Sequence, residues 1–146
     1  MIAPAKCSTR RSPLRRQARH GMTEEDFRSY VAAFNANDFD GFGHFYADDV
    51  VFELGAMKRI EGGENILAFY REVKAHITEV VTPLDVIVTP TRIAMHCRTT
   101  FDTFRDWPDF EIWPTKAGDR RVVETIAMYE VENDRFTHIR GARFKP

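Results

Sequence analysis

The chain has 146 residues, 43% of them hydrophobic and 29% charged, with a formal net charge of −1, a balance that fits one domain with a buried core and excludes a chain built of several domains. Its two cysteines, Cys7 and Cys97, are too few for a disulfide framework and too far apart for a metal-ligand motif, which points to a reducing compartment, the cytoplasm. No apolar run reaches the roughly 20 residues that cross a bilayer, so no membrane partner is expected.

The charge is unevenly divided. Met1 to Gly21 holds six of the 21 basic residues (Lys6, Arg10, Arg11, Arg15, Arg16, Arg19) and no acid, leaving fifteen bases against all 22 acids over residues 22–146. An arm of Arg, Pro and Ser buries too little apolar surface to fold alone and is expected to be disordered. A nucleic-acid arm and an Arg-rich targeting peptide share this composition. The preferred reading is sequence upstream of a start at Met22, ahead of a single domain at 22–146. The acidic body speaks against nucleic acid as a partner, because phosphate binding needs a basic surface.

Thr23, followed by Glu24, Glu25 and Asp26, reads as an N-cap with acids in the first turn, where they oppose the helix dipole. Phe27, Tyr30, Val31 and Phe34 recur at helical spacing to about Asn37. Asp40 is expected to cap a short second helix bearing Phe42, Phe45 and Tyr46. The run from Asp48 to Leu54 then alternates as a strand, an extended piece follows at Met57 to Ile60, and Glu64 to Ile77 returns to helical spacing. Four β-rich segments complete the chain: Val80 to Thr89, Arg92 to Phe104, Val122 to Glu132 and Arg135 to Phe144. Helices first and strands after predict an α+β domain, with about three helices covering one face of a curved, mainly antiparallel sheet.

That order, together with the words YVAAFNANDFDGFGHFYADDVVFE and RIEGGENILAFYREV, resembles the nuclear-transport-factor-2-like (NTF2-like) superfamily, and within it the ketosteroid isomerases and SnoaL-like polyketide cyclases. The resemblance covers Thr23 to Phe144. It implies a cone-shaped half-barrel, open at one end, around an apolar pocket for a small hydrophobic molecule, commonly in a homodimer that packs sheet on sheet. It does not fix the chemistry, because one fold hosts many functions. The isomerase base aligns with Leu54 and the second acid with Ala127, so both carboxylates are absent. In the limonene-type epoxide hydrolases an Asp-Arg-Asp arrangement activates water; Asp102 matches one member, but Thr100 and Gly141 stand at the others. The tyrosines match: Tyr30, at the oxyanion-donor position, with Tyr46 and Tyr70.

The candidate site residues follow. In the segment from Arg92, His96, Arg98, Thr100 and Asp102 alternate with Ile93, Met95, Cys97, Thr99 and Phe101. If the polar face lines the cone, His96 or Asp102 shuttles a proton, Tyr30 donates to an oxyanion and Arg98 stabilises negative charge; if it faces solvent or a partner, the row is a solvated ladder. Phe34, Tyr46, Leu54, Tyr70 and Ala127 are expected to line the pocket, with Arg143 near its mouth. Trp107 and Trp113, in the long link from Phe104 to Arg121, either close over the pocket as a lid, the preferred reading, or pack on a second subunit. His44, His76 and His138 lack metal-site clustering; neither a metal nor a cofactor is expected. The functional expectation is a cofactor-free isomerase, cyclase or lyase acting by proton transfer on a cyclic carbonyl compound, with a non-catalytic binding or dimerisation module as the alternative.

Overall fold

The structure, a computed structural model, describes residues 21–145; the basic arm, apart from Gly21, lies outside the described residues. The first helix, α1 (Glu24–Asn35), starts at a capping box in which Thr23 Oγ1 accepts from the Asp26 N–H at 3.1 Å and Asp26 Oδ2 accepts from the Thr23 N–H at 3.0 Å. Its buried stripe is Phe27, Tyr30, Val31 and Phe34, as the spacing predicts. The second, α2 (Phe39–Gly43), is capped by Asp38, whose Oδ1 accepts from the Gly41 N–H at 2.9 Å, and not by Asp40, which lies in the first turn. The helix therefore begins one residue after Asp38, because that side chain reaches the free N–H groups first.

Strands β1 (Tyr46–Leu54) and β2 (Lys58–Glu61) form a hairpin, and α3 (Gly63–Lys74) follows. Helix α3 ends three residues before the expected Ile77. Ile77 is fully buried and pairs with Thr103, so it opens β3 (Ile77–Val88). The early start brings Glu79 into the ladder opposite Phe101. Strands β4 (Arg92–Thr103), β5 (Arg120–Glu132) and β6 (Arg135–Lys145) complete one sheet in the order β2-β1-β6-β5-β4-β3, antiparallel throughout except for the parallel β1–β6 pair.

The helices sit on one side of this sheet. At its narrow end Phe27, Phe42 and Phe136, none with measurable exposure, pack with Tyr30 and Tyr129; the Phe27–Tyr129 and Tyr30–Phe136 ring centroids lie 5.0 and 4.8 Å apart. Burial of each such ring is worth roughly 1.5–3 kcal/mol, which closes the cone at that end. The wide end carries fewer filling side chains. Gly141 on β6 faces inward there, and a Cβ added to it would meet Thr125 Cγ2 at 3.6 Å, Leu54 Cδ2 at 3.9 Å and the Glu53 carbonyl oxygen at 4.0 Å, all ordinary contacts. The space that remains is the candidate site.

Candidate functional site

Two connected compartments occupy the cone. The inner one, about 130 Å³, runs from Tyr30, Phe34 and Tyr129 up to Thr125 and Gly141; the outer one, about 120 Å³, continues to Phe110, Trp113 and Arg143. Leu54, Tyr70, Glu79, Phe101 and Thr125 line both. On this measure a single water needs roughly 10–15 Å³, so the space accommodates a small organic molecule.

Period two decides which side chains reach it. Met95, Cys97, Thr99 and Phe101 of β4 line the inner compartment, so His96, Arg98 and Asp102 lie on the opposite face of the sheet. The polar face does not enter the cone, because the side covered by helices takes the apolar row. Asp102 is bound by Arg120 through two contacts of 2.7 and 3.0 Å, which hold its carboxyl below the usual range. The His96 ring lies 3.5 Å from Glu124 and edge-on to Phe144, and its Nε2 is buried without a hydrogen bond. Glu53 also points outward, to His138 Nε2 at 2.6 Å.

Of the remaining expected residues, Tyr30, Phe34, Leu54, Tyr70 and Ala127 line the inner compartment, and Trp113 and Arg143 the outer one. Tyr46 lies behind Tyr30, with the two hydroxyls 2.8 Å apart, and Trp107 lies behind Phe110, stacked on it at 4.0 Å and on His76 at 4.4 Å. The link folds back on itself, with Trp107 and Thr115 exchanging backbone hydrogen bonds of 2.7 and 3.1 Å. Lys58 and Glu111 tie it to β2 at 2.5 Å. Phe110, Ile112 and Trp113 thereby become a wall of the outer compartment.

Among the described residues one carboxylate lines the cavity, and it was absent from the sequence expectations. Glu79 is 9% exposed, and among the described residues no donor forms a hydrogen bond to it. Burial raises its pKa to about 7, against the opposing pull of the Lys74 charge. Lys74 is itself shifted down to about 8, first by burial, and its ammonium is held elsewhere: it donates to the Phe34 carbonyl and to Asn37 Oδ1, each at 2.7 Å, and lies over the Phe34 ring. Ile77, Glu79 and Val81 share one parity in the sequence, so an acid between two β-branched apolar residues was the available signal. A helix extended through Ile77 hides it.

Three phenols share the cavity wall with this acid, and a fourth, Tyr46, stands behind Tyr30. Burial raises Tyr30, Tyr70 and Tyr129 well above the ordinary tyrosine value, with further contributions from neighbouring phenols and, for Tyr30 and Tyr70, from the Glu79 charge. All three are neutral donors at physiological pH. Tyr30 shares its hydroxyl with Tyr46, whereas the hydroxyls of Tyr70 and Tyr129 form no hydrogen bond among the described residues. Tyr129 has the same parity on β5 as Ala127 and likewise faces inward. A carboxyl that titrates near neutral pH, beside unengaged neutral donors in an apolar space, is equipped to move a proton and to hydrogen-bond an oxygen.

The SnoaL-like domain model matches residues 27–139, most of the chain. The chain belongs to the SnoaL-like domain family. Among solved structures it is similar to a proposed polyketide cyclase of Silicibacter sp. TM1040, with a TM-score of 0.71 and 19% identity over 82% of this chain and 86% of the other. A proposed polyketide cyclase of Pseudomonas putida KT2440 gives 0.70 and 23% over 83% and 91%. An LEH-like epoxide hydrolase of M. tuberculosis gives 0.67 and 17% over 82% and 80%. At such identities the likeness shows the fold, the NTF2-like cone, and not the chemistry. No curated protein matches the chain. No helix among the described residues is long and apolar enough to cross a membrane.

Proposed function

We propose that this SnoaL-like protein is a cofactor-free enzyme that moves a proton on a small, largely apolar cyclic carbonyl compound, with Glu79 as the base and then the acid. The observation that carries this reading is a carboxyl, Glu79, that accepts no hydrogen bond among the described residues and is raised by burial to about 7, inside a cavity whose other described walls are mostly apolar or hydroxylic. An acid so tuned accepts a proton from carbon and returns it at neighbouring carbon near neutral pH. The enolate oxygen that forms between the two transfers is stabilised by Tyr70 and Tyr129, with Tyr30 oriented through Tyr46. Leu54 and Ala127, at the positions where the isomerases of this superfamily carry their acids, face the same space, so the acidic function is supplied from β3 instead.

The outward face of the sheet supports a homodimer. Val122, Ile126, Met128 and Phe144 are large apolar residues between 41% and 55% exposed, framed by ion pairs such as Arg92–Glu130 and Arg98–Glu124. A second copy presenting the same row would cover them. The same row favours the second reading, a dimerisation module without turnover.

The test of catalysis is proton exchange. Cyclic and polycyclic ketones are incubated with the protein in deuterated buffer, and exchange at the carbon next to the carbonyl is followed by NMR. Glu79→Gln is expected to lower the enzymatic exchange rate by about 10²–10⁴-fold, and Tyr70→Phe or Tyr129→Phe by about 10²-fold or more. Exchange at the uncatalysed rate across the ketone panel would leave the module reading.

A further inference from the structure

Glu79 poses a recognition problem that an uncharged ligand does not solve. The residue is 9% exposed, and among the described residues nothing donates a hydrogen bond to its carboxylate. Among the described residues the inner compartment has no Lys, Arg or His in its wall, and the buried cation near it, Lys74, is held by Phe34 and Asn37. A buried ionised acid without a donor is costly, and the cost is relieved either by protonation or by a ligand that brings a positive charge. The aromatic walls suit the second outcome. Tyr30, Phe34, Phe52, Tyr70, Phe101 and Tyr129 surround the inner compartment, and ring faces attract organic cations, most strongly where water is excluded.

We infer that the cavity binds small cyclic or branched organic ammonium ions, whose N–H donates to Glu79 and whose apolar groups lie against these rings. The inference rests on the cavity being the ligand site, as in the proposed function, but not on Glu79 acting as a base. It assigns the site a class of charged ligand, which is either an inhibitor that mimics no reaction step or the natural occupant of a non-catalytic protein. Binding depends on pH because only ionised Glu79 takes the cation. The groups facing it are Tyr30 from α1, Lys74 and Tyr70 from α3, Cys97 from β4 and Tyr129 from β5, with Arg143 from β6 at the outer end. The tyrosines and Cys97 all titrate above their ordinary values, chiefly through burial, and Lys74, lowered to about 8, keeps most of its charge up to pH 7.5, so between pH 5.5 and 7.5 the carboxyl is the group whose charge changes most. Arg143 is exposed at the mouth, where water screens its repulsion.

Three six-membered rings of similar size and different charge provide the test: N-methylpiperidinium, cyclohexanone and cyclohexanecarboxylate, each titrated into the full chain by calorimetry with no turnover assay involved. N-methylpiperidinium is expected to bind about ten- to a hundredfold more tightly than the other two at pH 7.5, the range of a charge-assisted hydrogen bond. Its affinity should fall about tenfold or more by pH 5.5, an arm that needs no variant. Glu79→Gln should erase both the preference for the cation and its pH dependence. Equal binding of the cation and the ketone, a flat pH profile, or an unaltered preference in Glu79→Gln would each overturn the inference. Cyclohexanone binding with proton exchange but no cation preference would sink this inference alone. Cation binding in a protein that exchanges no ketone proton would sink the catalytic reading alone.

Discussion

Glu79→Gln is the perturbation that tests the physical picture most directly, because it should make the protein more stable at one pH and not at another. The native carboxyl titrates near 7, against an ordinary value of 4.5. At roughly 1.4 kcal/mol for each tenfold change in proton affinity, that displacement is worth about 3 kcal/mol. The sign follows from which state binds the proton more tightly. The folded protein does, so the stability that Glu79 contributes is fully present below the unfolded value of 4.5 and is lost as pH rises through 7. Lys74 runs the other way: its folded value of about 8 lies below the ordinary 10.5, so it costs stability below 8 and recovers it as pH rises toward 10.5. The window from 4.5 to 7 therefore belongs to Glu79. Urea denaturation of wild type and Glu79→Gln at pH 5 and at pH 7.5 isolates it. The variant should gain about 2 kcal/mol on wild type between the two conditions, a figure reduced from the full displacement because part of the titration lies outside them and because the variant gives up the attraction to Lys74. Parallel pH profiles for the two proteins would refute the reasoning, since they would mean that Glu79 ionises in the folded state as easily as in the unfolded one.

Tyr46→Phe removes the hydroxyl that partners Tyr30 at 2.8 Å and leaves a buried phenol unsatisfied; a loss of about 1–3 kcal/mol is expected in denaturant titration, and a loss below measurement error would show that the pair is not buried together. Gly141→Leu projects a side chain past Thr125 and Leu54 into both compartments and should abolish cyclohexanone binding in a protein that still unfolds cooperatively. His96→Ala and Asp102→Asn lie on the outer face and should leave proton exchange within about twofold of wild type; a hundredfold loss in either would mean that the polar face of β4 reaches the site after all. Ile126→Lys places a charge in the exposed apolar row; if the proposed dimer forms, analytical ultracentrifugation is expected to show dimers for wild type and monomers for the variant, and monomers for both would refute it.

Much of the fold is written locally. Helix α1 is legible because Thr23 and Asp26 form a cap and because Phe27, Tyr30, Val31 and Phe34 repeat at the helical period; strand β4 is legible because its residues alternate over its whole length. The cavity-lining positions Tyr30, Leu54, Tyr70 and Ala127 were legible through the family resemblance, which carries the shape of the cone, and Phe34 through the apolar stripe of α1. Two decisions were not local. An alternating strand has two faces, and only the placement of the helices determined that the Cys97 side of β4 turns inward and the His96 side outward, since the concave surface is where apolar area leaves water. Nor does a single acid announce that it will be buried: isolated chemistry favours Glu79 in solvent. Its place was settled by Ile77, which starts β3 early by burying itself opposite Thr103, and by the ladder that then holds Glu79 against Phe101, with Lys74 of a neighbouring helix near enough to offset part of the charge. Sequence alone determined the order of helices and strands and the apolar stripe of α1, because caps and periods are local; the ends of α2 and α3, the inward face of β4 and the acid in the lining were decided by the closing of the sheet around them.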